Sequence, residues 1–220
     1  MLVTSRSYDE YVAMFGLTRL ELSGRVLDCS AGAAGFAAAA ADQGCRVVAV
    51  DPAYALDRQE LARLGNEDLV RGSAIAAAHP DRFTWAWFGT PERRGELRMR
   101  ALARFLLDLV RHPSRYVAGQ LPQLPFRDEG FDLVICSHLL FTWADTLGRA
   151  WHLAALREMA RVGREVRVFP TVLQGAGDPV PFWHELMADL ADAGLRAETR
   201  TVDYEFQLGA DQMLVVTSAG

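Results

Sequence analysis

The run Val26-Leu-Asp-Cys-Ser-Ala-Gly-Ala-Ala-Gly-Phe36 constrains the fold of this chain more than any other stretch. Arg25 to Cys29 reads as a short buried strand, small residues then carry the chain through a tight turn, and Ala34 to Asp42 is an alanine-rich helix stopped by Gly44. Arg46 to Val50 is a second strand that reaches Asp51. Strand, turn, helix and strand within about 30 residues make a βαβ unit, which commits the chain to a parallel sheet covered by helices.

The rest of the chain extends that unit. Ahead of it, Tyr8, Tyr11, Val12 and Phe15 fall at i, i+3, i+4 and i+7 behind the capping residues Ser5 and Ser7, a short amphipathic helix that ends near Gly16. Beyond it, Leu56 to Leu64 closed by Gly65, Glu67 to Ala78 closed by His79-Pro80, and Pro91 to Val110 are helical. That is too long for one crossover and reads as a helical insertion after strand two. Strands follow at Arg115 to Ala118 and Phe131 to Cys136, then a helix over Thr146 to Val162 and a strand over Glu165 to Phe169. A last helix, Pro179 to Ala193, stops at Gly194. Ala197 to Phe206 and Gln212 to Ser218 form a terminal hairpin around Gly209. The expected fold is α/β: a Rossmann-like open sheet, mostly parallel with a C-terminal antiparallel hairpin strand, and helices on both faces. Half of the 220 residues are apolar, enough to bury one core, so a single domain 1–220 is expected, with 1–20 as an N-terminal lid helix and 52–112 as an insertion or cap.

Twenty-eight acidic against 23 basic residues give a net charge of −5, and no basic run supplies the footprint that nucleic acid or an anionic membrane requires. A small-molecule substrate is the expected partner, with a homodimer left open. The N-terminus lacks the apolar core of a secretion signal and no segment of about 18 apolar residues occurs, so a soluble, cytoplasmic protein is expected. Cys29, Cys45 and Cys136 are too scattered for a disulfide framework or a metal site.

In the loop after strand one, Gly32 and Gly35 sit where the second and third glycines of a G-x-G-x-x-G turn would be, and Ser30 replaces the first. Such a loop serves several nucleotide cofactors. Asp28 ends strand one; Asp51 ends strand two and is placed to accept hydrogen bonds from both ribose hydroxyls of an adenosine, or else to cap the turn at Pro52.

VLDCSAG and VVAVDP, followed by Tyr116-Val-Ala-Gly-Gln-Leu-Pro-Gln-Leu-Pro-Phe126 and by Gly130-Phe-Asp-Leu-Val-Ile-Cys-Ser-His-Leu-Leu-Phe141, resemble three blocks of the class I S-adenosylmethionine-dependent methyltransferases in their order. The resemblance covers Arg25 to about Phe169 plus the hairpin. It implies S-adenosyl-L-methionine as cofactor, with Asp28, Ser30, Gly32 and Gly35 around its methionine part, Asp51 and Pro52 on the ribose, Gln120 and Leu121 at the adenine, and Ser137 at the end of strand four. Gln120 stands where the family has an acid, and its amide oxygen can accept the same bond as a neutral group. An NAD-binding loop is the rival reading, but Asp28 just before the turn would repel a pyrophosphate and suits an ammonium.

Ligands of open α/β sheets lie beyond the carboxyl ends of the strands, which draws attention to His138, either a general base or a hydrogen-bonded loop residue. Tyr11, with Tyr8 and Phe15, either faces a sulfonium as part of a lid or packs as an ordinary helix face. Trp85, Trp87 and Phe88 either cap a pocket or fill the core; His112, His184, Tyr204 and Glu205 have no assignable partner. The functional expectation is in-line methyl transfer to a small metabolite. The alternatives are an enzyme that closes or transfers the methionine side chain, releasing methylthioadenosine, and a non-catalytic cofactor-binding protein.

Overall fold

The computed structural model describes residues 2–175 and 177–219. Its strands are β1 (Arg25–Cys29), β2 (Arg46–Val50), β3 (Tyr116–Val117), β4 (Phe131–Ser137), β5 (Gly163–Phe169), β6 (Leu195–Thr201) and β7 (Gln212–Ser218). They form one sheet in the order β3-β2-β1-β4-β5-β7-β6. Only β7 runs against its neighbours, pairing antiparallel with both β5 and β6. The order reverses between β1 and β4, which pair from Val26↔Leu133 to Cys29↔Cys136, and an open α/β sheet places its ligand crevice outside that point.

Successive side chains on each strand feed opposite cores, as the period of two requires. Val26, Leu133, Ile135, Met213 and Val215 pack on one face with α1 (Tyr8–Phe15), α3 (Phe36–Asp42), α4 (Arg58–Ala78) and α5 (Pro91–Arg111). Leu27, Val134, Cys136, Leu214 and Val216 pack on the other with α6 (Ala144–Val162) and α7 (Trp183–Asp192). A further single turn, α2 (Arg19–Leu22), joins α1 to β1 and begins at a capping box of Thr18 and Glu21.

Where the elements differ from the sequence reading, packing is the reason. The break expected at Gly65 is absent: α4 runs straight through it, because a Cβ there would come within 2.6 Å of Leu102 Cδ1 and the glycine lets α5 lie close. Helix α3 starts at Phe36, two residues late, since Gly35 is its N-cap. The α6 segment starts at Ala144 and contains a left-handed Gly148, φ 70°, that interrupts its helical dihedrals. Helix α7 starts only at Trp183. Strand β6 ends at Thr201 rather than running to Phe206, because Tyr204 and Phe206 turn inward. There they meet Trp87 and Phe88, the rings lying 5.2 Å apart for Trp87 and Tyr204 and 5.1 Å for Phe88 and Phe206. Phe88 is fully buried, so this aromatic group fills the core.

Candidate functional site

The turn after β1 is built from backbone bonds to its neighbours. The amides of Ser30 and Ala31 both donate to the Val50 carbonyl, at 2.8 and 3.2 Å, which ties the turn to the end of β2. Ser30 has φ 59° and Gly32 φ 56°, so Ser30 adopts the left-handed conformation that glycine adopts at low cost. Asp51 then closes the loop: Oδ2 accepts from the Gly32 amide at 2.9 Å and Oδ1 from the Ala53 amide at 2.8 Å. The Tyr54 hydroxyl donates to the Gly32 carbonyl at 2.8 Å. Asp51 is thus both turn cap and loop clasp, and each of its oxygens keeps a second lone pair. Pro52, half-buried, opens the 3-10 turn Pro52–Ala55 that Asp51 caps.

A strap of N-terminal backbone lies on the same loop. Ala33 donates to the Thr4 carbonyl at 3.1 Å and Gly35 to the Arg6 carbonyl at 2.9 Å. A Cβ on Gly32 would stand 3.1 Å from the Thr4 oxygen, and one on Gly35 3.0 Å from the Ala101 oxygen. The room these glycines leave is therefore taken by the strap and by α5, not held open for a ligand as the sequence pattern suggests.

Asp28 is the unusual acid. It has no exposed surface, and neither carboxylate oxygen has a hydrogen-bond partner at good geometry. Burial pushes its pKa well above the ordinary range; the Tyr11 hydroxyl and the Arg6 guanidinium oppose that shift, and Asp51 adds to it. Tyr11 is itself buried, stacked 4.7 Å from Phe36 and tilted against Phe15 at 5.6 Å. Burial and Asp28 push its phenol up. Phe15 packs edge-on to Phe169 at 6.5 Å, and the partly exposed Tyr8 stacks on Phe36 at 5.8 Å. The three rings spaced for a lid are in this structure part of the core that holds α1 down.

Beyond β3, residues 118–125 line a cleft of about 410 Å³. Gln120 is exposed there and Leu121 buried, which brings both expected adenine neighbours to one wall. Gly119 lets the chain fold back, since a Cβ would stand 2.8 Å from Pro125 Cδ. At the end of β4, the Ser137 hydroxyl sits 2.8 Å from His138 Nδ1. The His138 amide donates to the Phe169 carbonyl at 2.6 Å, and the residue holds a left-handed φ of 55°. Burial, then Arg6 and Arg98, push its pKa well below the ordinary value, so its imidazole is neutral. A neutral imidazole can accept a proton at one nitrogen while Ser137 engages the other.

The sequence reading missed a buried charge network beside this site. Glu10, fully buried, pairs with Arg98 at 2.7 Å and accepts from the Tyr204 hydroxyl at 3.2 Å. Its other oxygen takes the Ser7 amide at 2.9 Å, completing the capping box of α1. Arg98 Nη1 donates to the Ser5 carbonyl at 2.7 Å and the Ser5 hydroxyl to the Arg98 carbonyl at 3.0 Å. The signal for it lay in α5, where Arg94 and Arg98 continue the stripe of Ala101, Leu102 and Phe105 that faces the core. Tyr204 finds its role here; His112 stays exposed, 4.0 Å from Asp108. Cys29 and Cys136, side by side on β1 and β4, are free buried thiols, and among the described residues no group of metal ligands occurs. No helix of the described residues is long and apolar enough to cross a membrane.

Residues 96–166 match the family model described as a methyltransferase domain. A Methanocaldococcus jannaschii protein described as uncharacterized is 26% identical over 212 residues, which cover 96% of this chain and 93% of that one. Among solved structures, this chain is similar to an S-adenosylmethionine-dependent methyltransferase from Bacteroides fragilis in complex with S-adenosyl-L-homocysteine, with TM-score 0.48, 15% identity, and 97% of this chain and 77% of that one covered. It is also similar to such a methyltransferase from Aquifex aeolicus, with TM-score 0.44, 16% identity, and 95% and 92% covered.

Proposed function

We propose that this chain, which carries a methyltransferase domain and takes S-adenosylmethionine as its cofactor, transfers the methyl group to a small-molecule acceptor by in-line displacement. The observation that carries the reading is Asp28. A buried carboxylate without partners costs several kcal/mol in the ionised form, and a cation brought against it recovers much of that. The ammonium of a methionine moiety is such a cation, and the end of β1 is where it would lie.

The other residues fit the same ligand. Asp51 keeps a free lone pair on each oxygen for ribose hydroxyls while its loop bonds hold it rigid. Gln120 and Leu121 offer an amide and an apolar side chain to an adenine in the cleft of about 410 Å³. Ser30 holds the turn, and Gly32 and Gly35 act through the packing that fixes it. The bound cofactor supplies an electrophilic methyl group on a positively charged sulfur. His138, kept neutral and oriented by Ser137, is placed at the end of β4 to take the proton of an acceptor hydroxyl or amine. Tyr11 acts on Asp28 rather than on a sulfonium. The net charge of −5 supports a small acceptor over a nucleic acid.

The test is calorimetric titration with S-adenosylmethionine followed by acceptor screening for S-adenosylhomocysteine. Cofactor binding is expected to weaken at least tenfold in Asp28→Asn. Methylthioadenosine accumulating without any acceptor would replace methyl transfer by chemistry on the methionine side chain. Binding without turnover of any kind would leave a cofactor-binding protein, and no binding at all would end the proposal.

A further inference from the structure

A helix turns its apolar stripe to the core, so guanidinium groups on that stripe need buried partners. Arg98 has Glu10 and the Ser5 carbonyl. Arg94, one turn earlier, has neither: its guanidinium lies 4.8 Å over the Phe206 ring, its buried Nε has no hydrogen-bond partner, and among the described residues no carboxylate pairs with it. The buried Nε of Arg6 is likewise without a partner. The acids nearby are already committed. Glu10 is held by Arg98, Tyr204 and Ser7, and Asp68 by Arg71 at 2.5 Å. Asp28 is pushed toward its protonated form.

The excess of positive charge is felt by its members. Burial first and Arg98 second push the Arg94 pKa down to about 10, and the same two causes lower that of Arg6. Arg94 and Arg98 both line a cavity of about 500 Å³, with Asn66, Asp68 and Ser73 of α4 on one side and Thr4 and Ser5 of the strap on the other. That volume suits a small molecule. A planar guanidinium presents two parallel N–H donors, the geometry that carboxylate and phosphate oxygens accept.

We propose that the cavity between α4, α5 and the N-terminal strap binds the carboxylate or phosphate group of a small molecule, with Arg94 as its main contact. The anion site does not rest on the transferase reading above. Glu10 holds Arg98 in place behind Arg94, so the site keeps its shape when empty.

The full-length protein is titrated with sodium phosphate and, separately, sodium propionate, each against sodium chloride at matched ionic strength. Thermal unfolding is followed together with the intrinsic tryptophan fluorescence, to which Trp85, its ring 5.3 Å from that of Phe206, contributes. A saturable rise in Tm with one or both anions is expected, and the more effective one tells phosphate from carboxylate. Arg94→Gln is expected to weaken it at least tenfold, Arg94→Lys less, while far-UV circular dichroism and a cooperative unfolding transition of both variants show that they are folded. An anion response no greater than that of chloride, or an undiminished one in Arg94→Gln, overturns the site. Failure of every transfer assay bears on the proposed function, and the titration still decides the anion site.

Discussion

The acids that end β1 and β2 and the two arginines on α5 solve the same problem in opposite charge. Each pair has one member tied by fixed partners and one without. Asp51 is clasped by two amides and Arg98 by Glu10 and Ser5, whereas Asp28 and Arg94 have no charged partner among the described residues. The tied members hold backbone segments together: Asp51 joins the loop to β2, and Arg98 joins the strap to α5. The untied ones contribute little that the fold needs, and that division separates groups that build the molecule from groups left open to a ligand.

The largest effect expected on that comparison comes from cutting a tied member loose. Glu10→Ala strands Arg98 in the core and should cost about 3–5 kcal/mol in urea unfolding, the usual result of breaking a buried pair from one side. A loss below 1 kcal/mol would mean that water reaches Arg98 and that the network is no clasp. Asp51→Ala comes next. It strands the Gly32 and Ala53 amides, at about 2–4 kcal/mol together, and it should abolish cofactor binding as well, so stability and affinity fall in one variant. Gly65→Ala sharpens the basic side by moving α4 off Leu102. A cost of about 1–3 kcal/mol is expected, with a changed anion response; normal stability would show that the helices separate freely.

The smallest effect has the opposite sign. Because burial raises the folded-state pKa of Asp28, the stability linked to it is fully present below the unfolded carboxylate value of about 3.9 and is lost as pH rises through the folded value. Without cofactor, Asp28→Asn should therefore flatten the fall of Tm above that pH and stabilise the neutral protein, by on the order of 1 kcal/mol. Asp51, shifted in the same direction, keeps part of the slope in the variant. An identical pH profile for the two proteins would show that Asp28 is already neutralised within the chain.

Much of the sheet was legible because its signals are local. β1, β2 and β7 begin and end where their apolar runs meet polar or small residues, and the loop residues from Asp28 to Asp51 follow from the βαβ spacing. Gly65 misled because a glycine marks a helix end and a close helix crossing alike, and only Leu102 tells which. Tyr11 and Phe15 carry the same periodicity whether they face a ligand or a core. The Glu10 to Arg98 pair was hidden for another reason: Glu10 has a local role in the capping box of α1, and although Arg98 lies on the core-facing stripe of α5, nothing in either segment names its distant partner.

The bonds that pin α1 span nearly the whole chain. Arg167 donates to the Phe15 carbonyl across 152 positions, and Tyr204 reaches Glu10 across 194. Closing loops of that length costs entropy before any contact repays it. During synthesis the first helix emerges with Glu10 in water and cannot make its final contacts until the residues near 204 have been joined to the chain. The helix that precedes the whole sheet in sequence is therefore among the last elements to reach its final contacts.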